Sequence, residues 1–196
     1  MVSLRKVIRC EMQPKAGRGL CDGKPVSAVW PSRGKGGIAM VGMRPVIFNG
    51  TILQNISAFG DGESIERALE MSRTLGLEDQ IHRLPMGYNT ALGGNSKFVL
   101  DASTRKLIAL VRGFVVRPKI LVLQDPTHGI DHRARLRLVA HITENLGEMT
   151  VVAVTHDDLL IGASEDTLLL QNRKYGIWDA DLRAETLEAQ QPSIAS

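Results

Sequence analysis

The chain has 196 residues, enough to bury one good core or a core with a small appended lobe. Hydrophobic residues make up 43% and charged ones 23%, as in ordinary globular domains, while 4% aromatic residues and a net charge of +3 argue against base-stacking platforms and a nucleic-acid-binding field. The two cysteines, Cys10 and Cys21, show neither CxxC spacing nor a signal peptide before them, which points to a reducing compartment without a zinc site or disulfide framework.

In chain order, the apolar spacing of Leu4-Arg5-Lys6-Val7-Ile8-Arg9-Cys10 predicts a helix that stops near Pro14 and Gly17. A turn at Asp22-Gly23 follows, then a loop from Trp30 to Gly37 and a buried strand at Ile38-Ala39-Met40-Val41-Gly42. Amphipathic helices are expected over 62–76 and 77–83, a loop at Pro85-Met86-Gly87-Tyr88 and Gly93-Gly94-Asn95, and a long helix over 101–116 capped by Asp101 or Ser103. Beyond it the pattern alternates: strand 119–124, helix 132–146, strand 150–155, a short helix near 158–162, strands 167–171 and 174–178, and a helix over 181–190 before a frayed tail at 191–196. No apolar run reaches the roughly 18 residues that a membrane span needs.

Strands separated by helices of this length predict a parallel sheet, and ligands of such sheets bind outside the carboxyl ends of the strands. Asp125, Asp131 and His156 all fall there. Each also has a structural reading. Asp125 opens a turn with Pro126, Asp131 is placed to cap the helix after it, and a histidine that ends a buried strand is often a hydrogen-bonded fixture. His128, His132 and His141 have no ligand partners at useful spacing and are expected to be solvated.

The run Ile120-Leu121-Val122-Leu123-Gln124-Asp125-Pro126-Thr127-His128-Gly129-Ile130-Asp131, with Val-Ala-Val-Thr-His156 ending 25 residues later, resembles the catalytic strand and switch histidine of an ATP-binding cassette (ABC) domain. Pro45-Val46-Ile47-Phe48-Asn49-Gly50-Thr51-Ile52-Leu53-Gln54-Asn55-Ile56 is similar to the segment after the glutamine loop of ABC exporters. Leu84-Pro85-Met86-Gly87-Tyr88, Arg112 and Arg117-Pro118 extend the likeness over roughly 3–188, and Asp-Pro-Thr with Thr-His-Asp-Asp-Leu-Leu is similar to type I secretion and related exporters.

The resemblance implies an α/β fold: a three-layer P-loop NTPase (RecA-like) core lacking its first strand and phosphate loop, plus an α-helical subdomain. The implied division is 1–51 for the first part of the core, 52–115 for the helical subdomain, 116–190 for the rest of the core and 191–196 for a flexible tail. The sequence contains no G-x-x-x-x-G-K-[ST], and alignment puts Met1-Val2-Ser3 on the last residues of that loop. Arg33-Gly34-Lys35-Gly36-Gly37 lacks the first Gly and the Ser/Thr and lies between a turn and a strand, so it is a poor substitute. Without the family's first strand, strands 119–124 and 150–155 are both expected to lose a central neighbour.

By the same resemblance Met43 stands for the sensing glutamine, and Leu100-Asp101-Ala102-Ser103-Thr104 stands for the Leu-Ser-Gly-Gly-Gln signature. Gln124 takes the place of the magnesium-binding Asp, and Asp125 that of the Glu that activates water. An alternative register makes Asp125 the magnesium ligand and puts Pro126 at the Glu position. The first register keeps the family's spacing to Asp131, a dimer-loop residue, and is preferred. Catalytic positions are then Asp125 and His156, and nucleotide-facing positions are Ser3, Met43, Asp101, Ala102, Ser103, Thr104, Gln124 and Asp131.

The implied cofactors are ATP and Mg2+. Both are expected to bind weakly or not at all here, because Met43 and Gln124 offer poor ligands to a hard cation and the phosphate cradle is missing. The implied partners are a transmembrane domain or subunit of a transporter and a second nucleotide-binding domain, at the cytoplasmic face of a membrane, with no nucleic acid. Two functions follow: an exporter ATP-binding domain with deficient ATPase activity, or a non-catalytic pseudo-cassette that pairs with an intact subunit.

Overall fold

The computed structural model describes residues 17–21, 23–25, 27, 37–94, 99–145, 147–171 and 174–178. In chain order its elements are β1 (Leu20–Cys21), β2 (Lys24–Pro25), β3 (Ile38–Val41), β4 (Gly50–Thr51), α1 (Ile52–Ile56), α2 (Gly62–Leu75), α3 (Glu78–Ile81), a 3-10 turn (Gly87–Asn89), β5 (Ala91–Leu92), α4 (Ala102–Val115), β6 (Ile120–Gln124), α5 (His132–Glu144), β7 (Thr150–Val154), α6 (Asp158–Gly162), β8 (Thr167–Gln171) and β9 (Lys174–Trp178). The helices predicted over 4–10 and 181–190, the tail, Ser3 and the Arg33–Gly36 stretch lie outside the described residues.

Three apolar runs make the parallel sheet, in the order β3-β6-β7. Ile38 pairs with Ile120 and Val41 with Leu123; on the other side Ile120 pairs with Thr150 and Gln124 with Val154. The expectation that both 119–124 and 150–155 lose a neighbour is corrected by this order. β6 has a strand on each side, and Leu121, Val122 and Leu123 are buried, as a continuous apolar run in a parallel sheet should be. β7, like β3, is open on its far side among the described residues, and none of its residues is fully buried.

Helix α4 lies against β3, α1 and α2. Its approach to the sheet is set by Gly113, where a Cβ would stand 2.9 Å from Val41 Cγ2 and 3.3 Å from Leu121 Cδ1. One apolar cluster runs from Val41 through Ile52, Leu75, Leu107, Leu110 and Leu123 to Leu160, so the helical segment and the sheet share a core. Residue 76 ends α2 at φ 78°, the left-handed conformation that glycine adopts without strain, with its N–H returned to the last turn.

Ahead of α1, Thr51 forms a capping box. Its hydroxyl accepts from Gln54 N at 3.1 Å and Gln54 Oε1 accepts from Thr51 N at 2.8 Å. The buried Asn55 then ties down the approach to that helix: it accepts from Phe48 N at 2.8 Å and donates to Phe48 O at 2.9 Å and Thr51 O at 3.0 Å. Phe48 is thereby held in the open, edge-on to Phe59 and with the Arg112 guanidinium 4.6 Å above its ring.

Candidate functional site

The carboxyl ends of β3, β6 and β7 bring together Gly42 and Met43, Gln124 and Asp125, and Thr155 and His156. Gln124 closes β6 half-buried. Asp125 turns the chain out of the strand at φ 41°, a left-handed conformation that Asp tolerates better than most residues. Its N–H donates to Val154 O at 2.8 Å and its carbonyl accepts from His128 N at 3.1 Å, so its backbone builds the turn that buries Pro126. A strained backbone at a strand end is a common feature of sites, and here it also meets a plain folding need.

Asp131 ends this loop and caps α5, its Oδ1 accepting from Ala134 N at 2.9 Å. His156 is exposed, and among the described residues no hydrogen bond or ion pair joins it to Asp125. The next residue is the better-anchored one. Asp157 Oδ1 accepts from Arg135 Nη2 at 2.9 Å and from Leu159 N and Leu160 N at 3.0 and 3.3 Å. Arg135 Nε lies 2.7 Å from Oδ2 but out of line for a hydrogen bond. Burial pushes the Asp157 carboxyl up, yet Arg135, Thr127 and the α6 amides outweigh it and hold the group below its usual range.

Asp101, not Ser103, caps α4. Its Oδ1 accepts from Thr104 N at 2.8 Å. Thr104 Oγ1 lies 2.6 Å from both Asp101 Oδ2 and Gln80 Oε1, and one hydroxyl proton cannot serve two acceptors. With the Gln80 amide turned over, Nε2 donates to Thr104, Thr104 donates to Asp101 and Ser103 donates to Gln80, which satisfies every group. Burial raises the Asp101 carboxyl, and the bonds from Thr104 and Ser103 lower it further than that. A cleft of about 690 Å3 opens beside the cap, walled by Asp101, Arg83, Val99, Ile130 and Asp131. The helix end faces it with its own carboxylate in place, which neutralises the anion-attracting N-terminus.

Sequence reasoning missed Lys106. It is on the second turn of α4, 2% exposed, and its Nζ donates to Gly42 O and Gln124 O, each at 3.2 Å. Burial lowers its basicity and the charge of Asp125 opposes that. The signal was a lysine inside an otherwise apolar helical stretch, Lys106-Leu107-Ile108-Ala109-Leu110, where a charge is costly unless it has partners. His141 departs from expectation too: it is half-buried, edge-on to Phe114 with centroids 4.9 Å apart, and burial lowers its pKa. His128 and His132 are exposed as expected.

No family model matches the chain. It is 28% identical over 154 residues to the alpha-hemolysin translocation ATP-binding protein HlyB of Escherichia coli, covering 79% of this chain and 22% of that protein. It is 28% identical to the ABC-type transporter fsqE of Aspergillus fumigatus, with 83% of this chain and 13% of that one covered. It is 30% identical to the ABC-type transporter MDR1 of Aureobasidium melanogenum, with 73% and 11% covered. The chain belongs to the ABC family, on its exporter side. The fold agrees: a bacterial Atm1-family ABC exporter solved with ATP bound superimposes with a TM-score of 0.76 at 22% identity, over 97% of this chain and 33% of that one. This chain therefore spans less than a quarter of the length of these sequence relatives.

The ABC family uses ATP and Mg2+, and the residues here do not fit the ion. A hard divalent cation asks for oxygen ligands, carboxylates above all. Met43 offers an exposed thioether and Gln124 an uncharged amide, while Lys106 directs an ammonium at the strand ends. Among the described residues no group of three or more His, Cys, Asp or Glu is placed to hold a metal.

Proposed function

We propose that this chain is an exporter-type ABC cassette that has given up hydrolysis and acts as a pseudo-cassette, docking on a transmembrane partner and pairing with a nucleotide-binding domain that retains its catalytic groups. One observation carries the reading. Two of the side chains that the resemblance aligns with the family's nucleotide positions are spent on internal bonds, Asp101 on Thr104 and Asp131 on Ala134, and beside them Lys106 is bonded to the Gln124 carbonyl. Phosphoryl transfer draws nearly all its catalysis from positioning and electrostatic stabilisation of the phosphates, so a site whose groups are internally satisfied loses both.

The surface around Phe48 supports the docking half of the reading. Val46, Phe48 and Phe59 are all exposed, and Arg112 is fixed among them by a hydrogen bond to Val46 O at 2.6 Å. Exposed aromatics clustered around an arginine are the usual composition of a binding hot spot. Asn55 and the Thr51 capping box make that surface rigid before any partner arrives.

Calorimetric titration of the chain with ATP and magnesium tests the catalytic half. The expected result is no binding tighter than about 1 mM. A micromolar dissociation constant would remove the proposal. Changing Gln124→Asp and Asp125→Glu together is expected to give no ATPase activity above that of an unrelated purified protein, because Asp101 and Lys106 keep their internal bonds and the phosphates and the ion are still not positioned.

A further inference from the structure

We infer that the ammonium of Lys106 is this chain's own occupant of the cation position at the mouth of the sheet, and that it keeps divalent ions out. The inference deepens the proposed reading, on which it rests for placing the family's cation at the strand ends.

Neighbouring parallel strands leave a crevice at their carboxyl ends, where backbone carbonyl oxygens face the ligand side of the sheet. Here that crevice lies between Gly42, just past β3, and Gln124, the last residue of β6. Two carbonyl oxygens and the nearby charge of Asp125 form the kind of hard, negative pocket that attracts a cation. Lys106 reaches it from α4 and places Nζ 3.2 Å from both carbonyls. Its stem is sealed in the helix–sheet interface, with the residue 2% exposed, so the ammonium has no water-filled route by which to withdraw. An incoming divalent ion would need the same oxygens and would face a fixed positive charge at contact range in a medium that screens poorly.

The crevice is therefore satisfied without metal. Gln124 fits this arrangement better than an acid would: β6 needs no carboxylate to hold an ion that is already tethered to the chain. Lys106 also staples β3 to β6 where their pairing ends, which makes the mouth of the sheet rigid in the absence of any ligand.

The test uses Mn2+, a paramagnetic ion with the same preference for hard oxygen ligands, and contains no nucleotide. Broadening of the backbone amide signals of Gly42, residue 124 and Asp125 is followed in the isotope-labelled chain, in Gln124→Asp, in Lys106→Met and in the double variant. The native chain and Gln124→Asp are expected to show no selective broadening up to about 1 mM. The double variant is expected to broaden at concentrations at least about thirtyfold lower than Gln124→Asp.

Three outcomes overturn the inference: selective broadening in the native chain below 1 mM, Gln124→Asp binding within threefold of the double variant, or a folded double variant that fails to bind. Should the Lys106 variants lose their cooperative melt, the native chain and Gln124→Asp still decide. Absence of broadening in both supports exclusion by Lys106, and broadening in either refutes it. Failure here leaves the ATP titration to judge the pseudo-cassette reading by itself.

Discussion

Replacing Asp157 by Asn keeps the shape of the side chain and removes its charge, at a point where three parts of the site meet. Asp157 accepts from the α6 amides, from Thr127 in the loop after β6, and from Arg135 on α5. Its side chain is 8% exposed and that of Arg135 33%. Removing one partner of a buried pair costs about 3–5 kcal/mol, but a guanidinium one-third exposed recovers part of its solvation, so we expect a loss of about 2–3 kcal/mol. For a domain of this size that lowers the melting temperature by roughly 4–12 °C. Because the folded-state carboxyl titrates below its ordinary value, the native chain holds this advantage in full above the unfolded pKa of about 4 and loses it as the pH falls through the folded one. Urea unfolding of both proteins at several pH values reads it out. The gap should stay constant from pH 7 to about 5 and shrink below about 4. A loss under about 0.5 kcal/mol at pH 7, or a gap that does not narrow in acid, would show that Arg135 and Asp157 are only neighbours.

Four further outcomes are expected. Gly113→Val forces atoms into the space where a Cβ already meets Val41 Cγ2 at 2.9 Å, costing about 1–3 kcal/mol in urea unfolding, and Val41→Ala in the same chain should return part of it; simple additivity would refute the contact. Asn55→Ala strips both backbone groups of Phe48 of a partner and should cost about 2–4 kcal/mol, while loosening Phe48 so that binding to any membrane partner weakens further; an unchanged melt would count against it. Asp101→Ala should cost about 1 kcal/mol as a lost helix cap and create no affinity for ATP; tight ATP binding by that variant would mean that the carboxylate alone had blocked the site. Ala153→Lys places a charge on the open strand β7 and should reduce concentration-dependent light scattering relative to the native chain; equal scattering would show that the edge is not where copies meet.

The elements were legible where a period ran long enough to be read. Ile65, Leu69 and Ser72 marked α2 to within a residue of its observed end at Leu75, and the apolar runs at 120 and 150 gave both strands. Two caps were legible as well, Asp131 outright and Asp101 as an alternative to Ser103, and each accepts from the first turn of its helix; Asp157, which caps α6, was not singled out. What a period cannot carry is which elements become neighbours. The order β3-β6-β7 leaves β7 at an edge and spares β6, and that depends on a crossover through α4 rather than on either strand's composition. Lys106 was missed and His141 was expected to be solvated for a related reason: their partners, Gly42 and Phe114, are distant in the chain, and only packing decides that they meet. The Thr51-x-x-Gln54 box is a local signal in the sequence, embedded in the longer Pro45 to Ile56 motif.

The replaced positions share one property that bears on function. A ligand binds where groups still have bonds to give, and it must repay any internal bond that it displaces. Phosphate at the head of α4 would have to expel Asp101 from Thr104 and then sit beside another carboxylate, Asp131, across the cleft. A divalent ion at the strand ends would have to displace an ammonium from two carbonyls. Asp125, aligned with the group that activates water, has spent its backbone on a turn and has the charge of Lys106 nearby. Each substitution alone would only weaken a nucleotide site. Together they leave Asp101, Asp131 and Lys106 bonded internally without a ligand, whereas the surface that we propose for docking keeps Phe48 and Phe59 exposed. Exposed apolar surface around a fixed arginine is available there, which is why the proposed reading takes a partner surface, and not a nucleotide, as the ligand.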